Sequence, residues 1–132
     1  MKLLTLGLLT PLTLLMSVGA IAASITLKSD QPLCENAPPL GKAALVQAKR
    51  DNRVVKLDVV TEFNCAYIPG KPELRVRQNA VSVILPTQSP SGEATACLCQ
   101  HKLTFEIVDL HKDAKTIYYM QDGTVLGHTD VP

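Results

Sequence analysis

The sequence predicts an all-β protein of about seven antiparallel strands that is braced by disulfides. Apolar and polar residues alternate with a period of two through several segments, as expected for strands with one buried face. Proline, glycine, asparagine and serine separate these segments, and no run is long enough for a secure helix. The 132 residues include four cysteines, and an even cysteine count in a small exported chain is typical of a disulfide framework.

The first 22 residues predict a cleaved export signal. Lys2 supplies the early positive charge, and a leucine-rich stretch from Leu3 to Leu15 is followed by the small-residue pattern Ala20-Ile21-Ala22. An uncleaved membrane anchor is the alternative, but Pro11 and the small-residue end argue against it. We therefore expect cleavage after Ala22 and a periplasmic or secreted protein with no stable membrane span.

The rest of the chain is long enough for one domain and carries no net charge. Residues 23–132 hold 12 basic and 12 acidic side chains. This balance gives no long-range attraction to a phosphate backbone, so no nucleic-acid partner is expected. We divide this part into a proline-rich segment, residues 23–42, tied down by Cys34, and a sandwich domain, residues 43–132. A monomer is expected.

The first two strands flank the polar turn Arg50-Asp51-Asn52-Arg53. Residues 43–49 also have the composition of a short helix, but the turn leads directly into a strand, which favours a hairpin. The second strand then buries alternate residues up to a cysteine. Its inward face consists of Val55, Leu57, Val59, Thr61, Phe63 and Cys65.

Five further strands follow this hairpin. Leu74 and Val76 are expected to face the core, and the turn Gln78-Asn79 leads into a strand that Pro86 ends. The last hairpin turns at Asp122-Gly123, because glycine accepts the positive φ of a tight turn. Seven such strands predict an antiparallel immunoglobulin-like β-sandwich. The remaining strand faces inward with Cys97, Cys99, His101, Leu103, Phe105 and Ile107.

Export should oxidise the cysteines, so Cys34, Cys65, Cys97 and Cys99 are expected to form two disulfides. A bridge between Cys97 and Cys99 is disfavoured, because two residues on one strand face lie at the far end of the distance that an unstrained disulfide spans. One of these sulfurs should therefore reach Cys65 and the other Cys34. The bridge to Cys65 should stabilise the fold by about 3 to 4 kcal/mol in the chain-entropy model.

The segments Phe63-Asn64-Cys65, Cys97-x-Cys99 and Leu103-x-Phe105-x-Ile107 form one core pattern. This F-N-C … C-x-C … L-x-F-x-I pattern resembles a group of uncharacterised small exported bacterial envelope proteins with an immunoglobulin-like β-sandwich. The likeness covers roughly residues 53–127. His101 departs from it, because an aromatic residue is common at that position. The resemblance implies a fold and a compartment, and it supplies no catalytic residues.

A metal site is the alternative use of the cysteines. Cys97, Cys99 and His101 share one predicted strand face, and Cys65 is available as a fourth ligand. In reduced form these thiolates and the imidazole would suit Cu(I) or Zn(II). The disulfide interpretation accounts for the same sulfurs, so we expect no metal or other cofactor. A small periplasmic copper- or zinc-binding protein remains the alternative function.

No enzyme is expected. The cysteines lack the C-x-x-C spacing of a thiol oxidoreductase, and no serine lies in a G-x-S-x-G setting. There is also no glycine-rich phosphate loop. His111, Met120 and His128 could form an exposed copper site, but they lie on separate predicted elements.

The candidate binding surface is a basic stripe formed by Lys71, Arg75 and Arg77. Arg75 and Arg77 share the outward face of one strand, although edge strands often carry such charges to prevent pairing with other chains. Tyr118 and Tyr119 are neighbours on a later strand, so only one of them can face the core. We expect an exported binding or envelope-associated module whose partner is an unknown protein or envelope component.

Overall fold

The computed structural model describes residues 22–33, 40–41 and 43–132, and these residues form ten strands and no helix. None of the described residues therefore forms a helix that is long and apolar enough to cross a membrane. The strands are β1 (Ser24–Pro32), β2 (Leu45–Asp51), β3 (Val54–Asn64), β4 (Ile68–Pro69), β5 (Glu73–Arg77), β6 (Ala80–Leu85), β7 (Thr87–Gln88), β8 (Leu98–Val108), β9 (Thr116–Gln121) and β10 (Thr124–Asp130).

Eight of the strands build two four-stranded sheets. The first sheet has the order β1-β8-β3-β2, and the second sheet has the order β10-β9-β6-β5. The short strands β4 and β7 pair with each other. Every pairing is antiparallel except the one between β6 and β9, which is parallel. Between these two strands the chain passes through β8 of the first sheet, so the two large sheets are connected at this crossing.

The core lies between the inner faces of the two large sheets. Because successive side chains of a strand point to opposite faces, each central strand contributes every second residue. The inward faces predicted for the strands now identified as β3 and β8 are confirmed over most of their length. The buried side chains of β3, β6, β8 and β9 in the core cluster are Val55, Leu57, Val59, Val81, Val83, Leu85, Leu103, Phe105, Ile107, Ile117 and Tyr119.

The two large sheets are in close contact where β2 meets β10. The amide of Ala44 donates a hydrogen bond of 2.9 Å to the carbonyl oxygen of Leu126. A Cβ atom on Gly127 would lie 2.8 Å from the carbonyl oxygen of Ala44 and 2.9 Å from Cγ2 of Val46. Only a residue without a side chain therefore fits at this position of β10.

Three predicted turns are confirmed, and each has a residue with positive φ. Asn52 (φ 53°) connects β2 to β3, Gln78 (φ 55°) connects β5 to β6, and Asp122 (φ 47°) with Gly123 (φ 83°) connects β9 to β10. Positive φ at two successive positions matches the twist of hairpin strands, which explains why an Asp-Gly pair strongly predicts a β-hairpin turn.

Each of the seven predicted strands is present, including the strand predicted within residues 43–49, but the total of about seven is too low. The structure adds β1, β4 and β7. The alternation pattern does not predict β1, because its sequence alternates only from Ser24 to Leu27, before the register shifts between Leu27 and Ser29. β4 and β7 have two residues each, too few for any periodicity. The expectation of purely antiparallel pairing is wrong for β6 and β9.

Two residues predicted to face inward are exposed. Val76 lies opposite the buried Val81 and so faces the inner side of its sheet as predicted, yet it is 50% exposed because β5 is the edge strand. Cys97 is exposed because it precedes β8 and lies beyond the layer between the sheets. The predicted export signal lies outside the described residues except for Ala22, and so does Cys34.

Candidate functional site

A disulfide joins the residue that follows β3 to the residue that precedes β8. Cys65 and Cys97 are bonded, with Cα atoms 5.7 Å apart, and the amide of Cys65 donates a hydrogen bond of 3.2 Å to the carbonyl oxygen of Cys97. This pairing confirms that the Cys97-x-Cys99 pair is split and assigns Cys97 to Cys65. The second predicted pairing, between Cys34 and Cys99, stays a prediction because Cys34 lies outside the described residues.

The side chain of Asn64 holds the loop that precedes this disulfide. Its Oδ1 atom accepts hydrogen bonds of 3.0 Å from the amides of Ala66 and Thr95 and from the hydroxyl of Thr95. Its Nδ2 atom donates to the carbonyl oxygen of Thr95 at 2.5 Å. Asn64, one residue before Cys65, therefore fixes the chain at Ala66, just after that cysteine. It also fixes the chain at Thr95, two residues before Cys97.

Three sulfurs lie together at this end of the first sheet. The Sγ atoms of Cys65, Cys97 and Cys99 are all within 4.8 Å of one another, and no other group of three potential ligands is found in the described ranges. Cys65 and Cys97 share a disulfide bond, so in this form they offer no thiolate to a metal ion. Thiolate ligation would require reduction of that bond.

His101 makes contacts that differ from those predicted for a metal ligand. Its Nδ1 atom lies 2.7 Å from Oδ1 of Asp30, and its ring stacks on Phe63 with centroids 3.8 Å apart. The residue is 6% exposed. His101 thus connects β8 to β1 and packs beside the core. The Asp30 contact had no local sequence signal, because the two residues are 71 positions apart and β1 was not predicted.

The outer face of the second sheet carries a shallow cavity of about 270 Å³, which we call the Arg–Tyr trough. Its side walls come from the edge strand β5 and from β9, and Ala80, Ser82 and Ile84 of β6 form its floor. Arg75 lies opposite Ser82, which lies opposite Tyr118, so three strands contribute one row across the trough. The lining residues are Arg75, Arg77, Ala80, Ser82, Ile84, Tyr118 and Met120.

The two arginines of the trough differ in their partners. Arg75 lies 3.7 Å from Glu73, and both side chains are largely exposed. Arg77 forms no ion pair with any residue in the described part of the chain. Lys71, the third residue of the predicted basic stripe, is exposed before β5 and does not line the trough. Of the predicted stripe, therefore, only the two arginines line the trough. They share it with Tyr118, an aromatic residue that no sequence pattern connects with them.

The adjacent tyrosines of β9 take opposite faces, as predicted. Tyr119 is fully buried and donates a hydrogen bond of 2.8 Å to Oε1 of Gln121, and burial raises the pKa of its phenol. Tyr118 lies outward in the trough, with its ring centroid 5.8 Å from that of His128 on β10. Gln121 also accepts from Thr61, so a polar cluster joins the two sheets beside the core.

The remaining candidate copper ligands lie on three separate elements. His111 is in the loop between β8 and β9, where its Nδ1 atom is 3.5 Å from Asp113. Met120 belongs to β9 and lines the Arg–Tyr trough, and His128 belongs to β10. The sequence expectation that these residues lie on separate elements is confirmed.

Fold and site together define an all-β, disulfide-bonded protein with an arginine-lined trough on one sheet. No family model, curated protein or solved structure matches the chain. The function is therefore inferred from the residues and their geometry alone.

Proposed function

We propose that this chain is an exported, disulfide-braced β-sandwich of immunoglobulin-like character that binds a partner in the cell envelope or outside the cell. The compartment is supported by the signal-like first 22 residues and by the Cys65–Cys97 disulfide, since such bonds persist in oxidising compartments. Strand β1 begins at Ser24, so cleavage after Ala22 would leave that strand intact.

The Arg–Tyr trough is the observation that carries the binding role. Two guanidinium groups, a hydroxyl and a phenol line this one concave surface. Small residues at the floor leave space above β6. Binding sites are concave and contain a few convergent polar groups among apolar ones, and Ile84 and Met120 supply the apolar part.

A pulldown from envelope and extracellular fractions tests this role. The variant Arg75→Glu/Arg77→Glu reverses both charges of the trough, and we expect it to lose the partner that the unchanged protein recovers. Lys49→Glu/Lys56→Glu is the matched control, because these exposed lysines lie opposite each other on the outer face of the first sheet. Equal recovery by the trough variant and the unchanged protein would contradict the proposal.

A small periplasmic copper- or zinc-binding protein, predicted to use Cys97, Cys99 and His101, is the second candidate. The neighbouring sulfurs of Cys65, Cys97 and Cys99 favour it, whereas His101 contacts Asp30 instead. It requires a reduced Cys65–Cys97 pair. Thiol titration of the purified protein, with and without denaturant, and metal analysis separate the two candidates. Absence of titratable thiols and of metal would exclude the second. Four titratable thiols with stoichiometric copper or zinc would exclude the disulfide-braced form.

A further inference from the structure

The backbone around the Arg–Tyr trough limits what can bind there. Strand β6 pairs with both β5 and β9, and β9 pairs with both β6 and β10. The backbone amides and carbonyls of these central strands are therefore used within the sheet. A peptide that binds by strand addition needs an exposed sheet edge, so a ligand above the floor of the trough has to be recognised by side chains.

The polar side chains of the trough are mostly donors. Arg77 has no ion-pair partner among the described residues, and Arg75 has only an exposed contact of 3.7 Å with Glu73. A guanidinium group presents a planar set of N–H donors that matches a carboxylate or sulfate. The pair is therefore complementary to an anionic group, in a chain whose overall charge is close to zero.

Two hydroxyl groups complete this polar lining. The hydroxyls of Ser82 and Tyr118 line the trough and form no hydrogen bond with any part of the chain that the structure describes. A hydroxyl both donates and accepts hydrogen bonds, which suits a ligand that carries hydroxyls of its own. Phosphate or a simple carboxylate would leave this second function unused.

Size and shape point in the same direction. A volume of about 270 Å³ is slightly below the range of about 300 to 1,000 Å³ for small-molecule pockets, so one ring-sized unit fits. The half-buried ring of Tyr118 and the side chains of Ile84 and Met120 offer apolar surface to such a ring. The open sides of the trough leave room for further units of a chain.

We infer that the Arg–Tyr trough binds an acidic sugar unit of an anionic polysaccharide, an inference that rests on the proposed function. Arg75 and Arg77 bind the carboxylate group of that sugar unit. The hydroxyls of Ser82 and Tyr118 hydrogen-bond to the sugar hydroxyls, and the ring of Tyr118 packs against the sugar ring. The trough then selects a sugar unit that carries both an anionic group and hydroxyls.

The test is a chemical-shift titration of the exported, ¹⁵N-labelled protein with trigalacturonate. Its fully methyl-esterified form serves as the uncharged control, and triglutamate serves as a peptide of equal charge. We expect the trigalacturonate to shift amides of β5, β6 and β9. Arg77→Ala should weaken this binding at least about tenfold, because it removes a charged hydrogen-bond donor. Arg77→Lys keeps the charge and should weaken binding less.

Tyr118→Phe and Tyr118→Ala separate the two functions of the tyrosine. The first removes only the hydroxyl and the second also removes the ring, so the affinity for trigalacturonate should fall stepwise. The amide spectrum outside the trough serves as the control that both variants are folded. Equal binding of triglutamate would show that charge alone is recognised and would overturn the inference. Absence of trigalacturonate binding would also overturn it, and the proposed function would still stand if the envelope pulldown remains sensitive to Arg75 and Arg77.

Discussion

Asp109 connects two distant turns through a single carboxylate. Its Oδ1 and Oδ2 atoms accept hydrogen bonds of 2.7 Å from Nε and Nη2 of Arg53, and its amide donates to the carbonyl oxygen of Arg53 at 2.9 Å. The hydrogen bond from Arg53 holds the pKa of Asp109 below its usual value of 3.8. The residue also has a φ of 58°, a backbone conformation that aspartate and asparagine tolerate better than most residues.

Asp109→Asn tests this carboxylate through the pH dependence of stability. The asparagine keeps the size and the tolerance of positive φ but carries no charge. Because the pKa of Asp109 is lower in the folded state, its stabilising contribution is complete above about pH 4 and is lost as the pH falls through the folded value. Urea denaturation should therefore show the unchanged protein more stable than the variant at about pH 6, with the difference shrinking as the pH falls below about 4. A pH-independent difference would contradict this assignment.

Asn64 is the second residue whose single side chain organises a larger region. Asn64→Ala removes three accepted hydrogen bonds and one donated bond around Thr95 and Ala66, so we expect a loss of about 1 to 2 kcal/mol in the free energy of unfolding. Hydrogen exchange at the amide of Thr95 should become faster. Asn64→Asp is the matched control, because it keeps the Oδ1 acceptor and should lose less. Equal losses in both variants would show that the acceptor is unimportant.

Elements in this fold depend on their neighbours more than on their own propensities. Strand β2 could form a helix by composition, yet it pairs with β3 along its whole length and contacts β10 at its start. Strand β1 alternates poorly, but the ladder to β8 and the contact between Asp30 and His101 hold it at the sheet edge. An element's own sequence is therefore a weak guide at the edges of these sheets.

Gly127→Ala tests the close contact between β2 and β10. The new Cβ would lie under 3.0 Å from the backbone of Ala44 and the side chain of Val46, so one strand has to move. We expect a loss of about 1 to 3 kcal/mol in the free energy of unfolding. Val125→Ala on the same strand is the control, because Val125 is 53% exposed and should change stability by less than about 0.5 kcal/mol. Similar effects of both substitutions would argue against a tight contact.

The molecule as a whole is held by one apolar core and by a covalent link at one end. Its large buried side chains come from both four-stranded sheets, and few of them are aromatic. The disulfide joins residues 32 positions apart, so it restricts a substantial part of the unfolded chain. The Arg–Tyr trough lies on the outer face of the second sheet, where its residues do not pack in the core between the sheets.

Cys65→Ser/Cys97→Ser measures what this link contributes. For a loop of 32 residues the chain-entropy model gives a stabilisation of about 4 kcal/mol, and the double variant should lose about that much in urea denaturation. Leu98→Ala is the control, because this neighbouring side chain is 68% exposed. A loss in the double variant no larger than in the control would show that the disulfide does not stabilise the fold.

Much of the fold could be predicted because alternation is a local property. A strand between two sheets must place apolar residues on one face, so β3, β6 and β8 could be located from their period alone. The two-residue turns were equally visible, since positive φ restricts the residues that can occupy them. Three features could not be predicted in this way: the strand β1, the parallel pair of β6 with β9 and the exposure of Val76. Each depends on a neighbour that is distant in sequence.

The sequence by itself determined the all-β class, the seven main strands and the separation of Cys97 from Cys99, since these follow from side-chain periodicity and the short reach of a disulfide. Only the tertiary structure decided that Cys97 bonds to Cys65, that His101 contacts Asp30 and that Arg75 and Arg77 share a trough with Tyr118. These contacts join residues from strands far apart in the chain. Strand order creates them, and no local pattern of residues encodes that order.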